Sequence, residues 1–190
     1  LDRQGYTDDR TSIRRGQALF RSAKEEGRNR MFFIGDVTVL GQSPASPHVR
    51  EGDALSTATP LDANYNPAKA RVDSTSVGVS FGMVREVKGH LPWSTTVSYR
   101  HTGHDQFRGF LVDVANTAGN ATGFRETIDI NDIYADSHIV IAGKRRTRLV
   151  LGGDYLFGNG EAKGAVFNYS VPLSGVTATG VAEPTTLDRD

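Results

Sequence analysis

The sequence predicts an all-β protein, an antiparallel up-and-down meander of about six strands. Two observations predict this class: segments in which apolar residues alternate with small polar ones, and connecting stretches rich in Gly, Pro, Asn and Ser. The clearest segment is Ser74–Met83, with Thr, Val, Val, Phe and Met at its odd positions and Ser or Gly at its even positions. Because successive side chains of a strand point to opposite faces, this segment has one apolar face and one face of small groups.

Six segments show this strand character, and they differ sharply from the stretches between them. Strands are predicted near 11–22, 30–40, 73–87, 93–108, 130–142 and 148–157. Gly16–Glu26 could also form a short helix, but a strand is favoured there because its neighbours are strands. Short turns are predicted at 25–29, 88–92 and 143–147. Long loops are predicted at 41–71, 111–129 and 158–190.

Composition excludes several classes of site. The 190 residues include no Cys, which excludes disulfides, thiolate zinc sites and cysteine nucleophiles. The 22 Lys and Arg balance 22 Asp and Glu, so the net charge does not indicate a nucleic-acid partner. There is no run of 18 apolar residues, so no transmembrane helix is predicted. No set of nucleophile, base and orienting acid is recognisable and no cofactor motif is present, so we expect neither an enzyme nor a cofactor.

The alternation of short turns with long loops favours a transmembrane β-barrel over a soluble domain. Outer-membrane barrels have short periplasmic turns and long extracellular loops, and a strand of about 9–11 residues crosses the bilayer. Asp36, Arg100, Asp136, His138 and Asp154 fall on the faces opposite the apolar rows. Such charges are costly in a dry core and suit a hydrated lumen. A soluble β-sandwich that acts as a binding or adhesion module remains an alternative.

Two local patterns resemble metal sites, but both are interpreted as structural. His101 and His104 fall on opposite faces of a strand, so a shared metal would require a bend between them. The stretch from Asp62 to Asn66 begins like a calcium loop, but Pro67 stands where that loop requires Gly. We therefore expect turn-forming chemistry of the Asn side chains there, and no metal site is predicted.

Several stretches resemble one family of membrane proteins. The segment Leu149–Gly158 resembles the L-x-x-G-x-D-Y-x-x-G strand of TonB-dependent outer-membrane receptors. Pro44–His48 and Pro60–Pro67 look like a receptor loop of the same family, and Trp93–Tyr99 looks like one of its upward strands. The resemblance covers most of the chain.

The resemblance implies a barrel of about 22 strands, closed by an N-terminal plug, in the cell outer membrane of a Gram-negative bacterium. Such receptors take up a scarce nutrient, for example a ferric siderophore, with energy from the TonB complex acting through the plug. This sequence shows no plug, and both of its ends lie in polar stretches, so we expect an open fragment of the barrel domain. The implied partners are outer-membrane lipid, the TonB complex and the small-molecule ligand. A passive porin-like channel is a second alternative.

The same interpretation gives each face of the strands a partner. Thr75, Val77, Val79, Phe81 and Met83 would face lipid, and the intervening Ser and Gly row would face a lumen with room for a plug. Polar and basic residues of the long loops would contact the ligand, because Arg forks pair well with the carboxylates and catecholates of anionic chelates. The predicted ligand contacts are Arg50, Tyr65, Arg108 and Arg125.

Overall fold

The computed structural model describes residues 2–4, 10–87, 91–142, 147–176 and 178–189. Ten strands account for the regular structure of these residues. They are β1 (Asp2–Gln4), β2 (Ser12–Glu26), β3 (Asn29–Ser43), β4 (Arg50–Glu51), β5 (Ala54–Leu55), β6 (Arg71–Val87), β7 (Leu91–Leu111), β8 (Ala121–Ala142), β9 (Arg148–Tyr169) and β10 (Asp188–Arg189). The described part of the chain has no helix long and apolar enough to span a membrane.

Eight of the strands form one antiparallel sheet in the order β1-β2-β3-β6-β7-β8-β9-β10, and β4 pairs with β5 in a separate small hairpin. The six long strands follow one another in the sheet as they do along the chain, so the predicted all-β meander is confirmed. The short strands β1 and β10 lie at opposite ends of the sheet. Within the described residues they do not pair with each other, so the sheet is open there.

All six predicted strands are present, and Gly16–Glu26 lies within β2 rather than in a helix. The predicted loop at 111–129 was wrong in extent, because β8 begins at Ala121. The predicted loop at 158–190 was also wrong in extent, because β9 continues to Tyr169. Glycines that resemble turn signals lie inside these strands, where large neighbours cover them: the ring of Phe167 packs over Gly123.

The turns and the first long loop agree better with the sequence. A two-residue turn at Gly27 and Arg28 joins β2 to β3, and Gly27 has a φ of 61°, a conformation that favours glycine. The predicted turns at 88–92 and 143–147 lie largely outside the described residues. The loop between β3 and β6 is long, as predicted, but it contains the hairpin of β4 and β5.

The strand pairing is regular along the whole length of the long strands. Each residue of β7 from Trp93 to Leu111 opposes a single residue of β8, and each residue of β8 opposes a single residue of β9. Side chains therefore keep the same face from one end of the sheet to the other. We call the face that carries Val77, Val79 and Phe81 the apolar face, and the opposite one the polar face.

The Ser and Gly row of β6 is covered by side chains from both neighbouring strands. A Cβ atom at Gly82 would lie 2.0 Å from the ring Cζ of Phe32, the residue opposite it on β3. At Gly78 a Cβ atom would lie 2.6 Å from Oδ1 of Asp36 and 2.8 Å from Nη2 of Arg100. The prediction that this row leaves open space was wrong at both glycines, because long side chains reach across them.

The contact between Gly82 and Phe32 predicts the effect of Gly82→Ala. We expect a loss of about 1–3 kcal/mol in the free energy of unfolding, because the added methyl group forces the Phe32 ring from its position. Urea unfolding of the refolded chain measures this loss. Gly153→Ala is the matched control, since a Cβ atom there meets nothing within 4 Å, and it should be close to neutral. Equal effects of the two substitutions would contradict the packing described here.

Candidate functional site

The apolar face forms a continuous surface across five of the long strands, β3 and β6 to β9. One cross-strand row consists of Phe33, Phe81, Val97, Ala135 and Tyr155, which lie side by side in register from β3 to β9. These side chains stay accessible: Phe81 is 44% exposed and Tyr155 is 62% exposed. No other described part of the chain covers this apolar surface.

This surface is limited along the strand direction, and we call it the apolar band. It covers about nine residues in each of five long strands: Met31–Val39 in β3, Thr75–Met83 in β6, Leu91–Tyr99 in β7, Ile133–Ile141 in β8 and Leu149–Phe157 in β9. Beyond Tyr99 the same face becomes polar, with His101, Asn131 and Asn159 in the next row. The band is therefore bounded by sequence while the strands continue past it.

A small packed core lies at one end of β7, β8 and β9, which we call the upper end. It is the end at which Leu111, Ala121 and Tyr169 pair with one another. Residues 44–70, 170–176 and 178–187, which we call the loop cap, lie there: Tyr65, Val171 and Ala178 pack against the apolar face, while Ala45 and Pro47 lie beside the polar face. The core contains the buried residues Ala63, Tyr65, Phe107, Leu111, Ala121, Tyr169, Val171 and Ala178. The Tyr65 hydroxyl donates to the Leu173 carbonyl at 2.8 Å, and the Tyr169 hydroxyl donates to the Tyr65 carbonyl. Burial raises the pKa of both tyrosines.

Buried Asn side chains satisfy the backbone of the loop cap. Asn120 is fully buried; its amide group donates to the Val171 carbonyl at 2.8 Å and its oxygen accepts from the Val171 N–H at 2.9 Å. Asn64 and Asn66 each donate to the Pro44 carbonyl at 3.0 Å. The Asn64 oxygen accepts from the Asn66 N–H. The interpretation of this stretch as turn-forming Asn chemistry is thus confirmed, because these oxygens are engaged with backbone N–H groups.

Four charged side chains link the loop cap to the sheet, and we call them the ionic quartet: Arg71, Asp105, Arg125 and Glu183. Arg71 donates through both terminal nitrogens to Glu183, at 3.0 and 2.7 Å, and its Nε lies 2.9 Å from Asp105. Arg125 contacts the same two carboxylates at 2.5 Å each. The Arg71 side chain lowers the pKa of Glu183 and Arg125 adds to this effect, while Glu183 raises the pKa of Arg71.

The polar face holds a second set of ionic and hydroxyl contacts. Arg100 lies 3.0 Å from Asp36 across the strand that separates them, and it donates to the Ser76 hydroxyl at 2.9 Å. Ser98 donates to Ser80 at 2.9 Å. An open cavity of about 410 Å³ lies beside these groups. This face can therefore pair charges and hold water, unlike the apolar band on the other side.

The structure does not bring the four predicted ligand residues together. Arg50 is exposed on β4 and donates to the Asp53 carbonyl at 2.8 Å. Arg108 is exposed on the polar face. Tyr65 has no exposed surface and Arg125 is 9% exposed, so both serve the packing and ion pairs of the loop cap. Ligand contact through Arg50 and Arg108 stays a prediction.

The positions of the two histidines were predictable from the sequence, but the ion pairs of the ionic quartet were not. His101 and His104 lie on opposite faces of β7, as predicted from their spacing. Among the described residues, no group of three or more His, Asp or Glu side chains is placed to hold a metal ion. Sequence reasoning missed Asp105 and Glu183. Glu183 lies in a stretch without periodicity, so no local signal identifies its partners.

No protein-family model matches this chain. Comparisons with curated proteins and with solved structures also find no match. The features of the chain that bear on function are therefore the two faces of the sheet and the loop cap.

The ionic quartet predicts that the loop cap weakens in acid. Because the pKa of Glu183 in the folded protein lies below its ordinary value of 4.5, its stabilising contribution is complete above about pH 4.5. It is lost as the pH falls through the lowered pKa. Glu183→Gln should cost about 1–3 kcal/mol at pH 7 and should flatten this pH dependence.

Hydrogen exchange of the amides in residues 170–176 and 178–187, measured from pH 7 to pH 3, tests this expectation. Glu25→Gln is the control, because Glu25 pairs with Arg30 on an exposed hairpin at 3.2 Å and such pairs contribute little. If Glu183→Gln leaves both the protection and its pH dependence unchanged, the quartet does not hold the loop cap.

Proposed function

We propose that the six long strands form part of the wall of an outer-membrane β-barrel, and that this barrel is a transport receptor. Its cargo would be a scarce nutrient such as a ferric siderophore, and uptake would be driven by the TonB system. One observation carries the proposal: the apolar band is continuous on one face across five of these strands, β3 and β6 to β9, while the opposite face holds the pair of Asp36 and Arg100. A barrel wall between lipid and a hydrated lumen has this asymmetry.

The dimensions of the apolar band support a membrane location. About nine residues per strand is close to the 9–11 that a tilted strand needs to cross the hydrocarbon core.

Aromatic side chains with a polar partner lie at both edges of the band. Near the lower edge the Trp93 Nε1–H donates to the Ser137 hydroxyl at 2.8 Å. At the upper edge the Tyr99 hydroxyl donates to Asn131 at 2.8 Å. Rings with one apolar side and one hydrogen-bonding end are typical of the two aromatic girdles of membrane barrels.

The loop cap supports a receptor in preference to a bare channel. The strands β7, β8 and β9 extend well beyond the apolar band, and a packed core with the ionic quartet stands on that extension. A rigid surface above the membrane is what a receptor needs to bind a ligand before transport.

Opposite charge tolerances of Val79 and Ser80 test the membrane wall. Val79→Arg should impair assembly into lipid vesicles by about 2–4 kcal/mol, because Val79 lies in the middle of the apolar band. Ser80→Arg is the matched control on the next residue, where the side chain faces the proposed lumen. Folding is followed by gel mobility with and without heating. Equal tolerance at both positions would overturn the orientation of the sheet.

Uptake experiments test the transport step and separate it from the alternatives. Cells that express the protein should accumulate a labelled ferric siderophore only while the proton gradient is intact, and Arg50→Ala with Arg108→Ala should reduce this uptake. Ion conductance that needs no gradient would indicate a passive porin-like channel instead. A folded, monomeric protein in buffer without detergent would indicate a soluble β-sandwich module.

A further inference from the structure

We propose that Arg108, with the rings of Phe110 and Phe124, forms a subsite for an aromatic anion at the upper end of the polar face. The ligand class is a planar aromatic ring with a carboxylate or phenolate substituent. This inference rests on the proposed function, because it places the subsite on the lumen side of a receptor wall.

The three side chains share one face of neighbouring strands. Arg108 of β7 and Phe124 of β8 are directly opposite in the pairing register, and the Arg108 guanidinium carbon lies 4.9 Å from the centre of the Phe124 ring. Phe110 follows two residues after Arg108, so its side chain points to the same face. The result is a cation over the face of one ring, with a second ring on the next polar-face position of the same strand as Arg108.

The Arg108 guanidinium keeps its hydrogen-bonding capacity. Within the residues that the structure describes, it contacts the Phe124 ring and makes no hydrogen bond or ion pair. By contrast, Arg71 and Arg125 donate to the carboxylates of the ionic quartet. A guanidinium that contacts a ring through its carbon still has N–H groups at its edge, where a carboxylate can bind in a bidentate manner.

The surroundings of Arg108 form a small, mostly apolar cavity. Its volume is about 200 Å³, and its walls are Ala45, Pro47, Arg108, Gly109, Phe110 and Phe124. An apolar cavity of about 150 Å³ binds benzene in another protein, so this one has room for a single substituted ring. Glu126 is the next residue after Phe124 on the polar face of β8. Its carboxylate accepts a hydrogen bond from Gln106 at 3.1 Å and does not pair with Arg108.

A buried side chain holds the two walls of this cavity in place. Asn66 is 2% exposed, and its amide group donates to the carbonyl of Pro44, the residue before Ala45. Its oxygen accepts from the N–H of Gly109 at 2.9 Å. Asn66 thus connects the loop wall to the β7 wall, and it acts as a positioning residue. A cavity that is formed before binding loses less free energy when it takes up a ligand.

The chemistry of the walls selects the occupant. The guanidinium attracts an anion and repels a cation, and the rings favour a partner with a flat aromatic surface. A small anion without a ring would use only the first feature, and an aromatic cation only the second. An aromatic anion uses both, and for this reason it is the ligand class that the site fits.

Ligand-observed NMR with benzoate as the probe tests the subsite on the full chain in lipid vesicles. Wild-type protein should bind benzoate more tightly than acetate or benzylammonium. Arg108→Gln should weaken benzoate binding at least about tenfold, and Arg108→Lys should restore only part of it because Lys lacks the planar fork. Phe124→Ala should also weaken it. Arg148→Gln removes an exposed arginine at the opposite end of the sheet and should change nothing.

Two results would overturn the inference: benzoate binding that is equal in wild-type protein and Arg108→Gln, or acetate binding as tight as benzoate binding. Absence of benzoate binding to correctly assembled wild-type protein would also overturn it. None of these results bears on the proposal that the sheet is a membrane wall. That proposal is tested separately by the comparison of Val79→Arg and Ser80→Arg. Each Arg108 variant is first shown to assemble like wild type by gel mobility, so that a loss of binding reports the subsite and not misfolding.

Discussion

The unbroken register of the sheet is the constraint on which every other feature depends. A slip of one residue between two strands would move each side chain to the other face. It would place Asp36 among the valines of the apolar band and would separate it from Arg100. Because the register continues from Trp93 to Leu111, the part of β7 in the apolar band and the part beyond it form one continuous strand. The loop cap is therefore built on the same alternation that separates the two faces.

That alternation explains why the sequence predicted the sheet well. Period-two patterns are local, so the six strands and the partition of faces around Val79 could be derived without knowing any partner. The upper limits of β8 and β9 could not. Gly123 resembles a loop residue until the Phe167 ring from the next strand covers it, and that contact joins residues more than forty positions apart. Cross-strand packing, rather than local propensity, decides where these strands begin and end.

The candidate site was less accessible to sequence reasoning for a related reason. Arginine in a polar stretch predicts anion recognition, but it does not tell whether the anion belongs to the protein. Arg125 meets Glu183, which follows it by 58 residues, and is removed from solvent by that contact. Arg108 meets only an aromatic ring within the described chain and keeps its donors free. The sequence shows an arginine at both positions, but it does not show which arginine pairs with a carboxylate of the same chain.

The position of the loop cap connects these two outcomes. Its core residues Phe107, Leu111 and Tyr169 belong to the apolar face, so much of the loop cap packs on the same side of the sheet as the apolar band. The carboxylate of Glu183 comes to that side and neutralises Arg125 there. On the opposite side, Ala45 and Pro47 lie beside Arg108. A loop arrangement that satisfies one arginine internally thus leaves the other accessible from the polar face, the side on which the proposed receptor would admit its ligand.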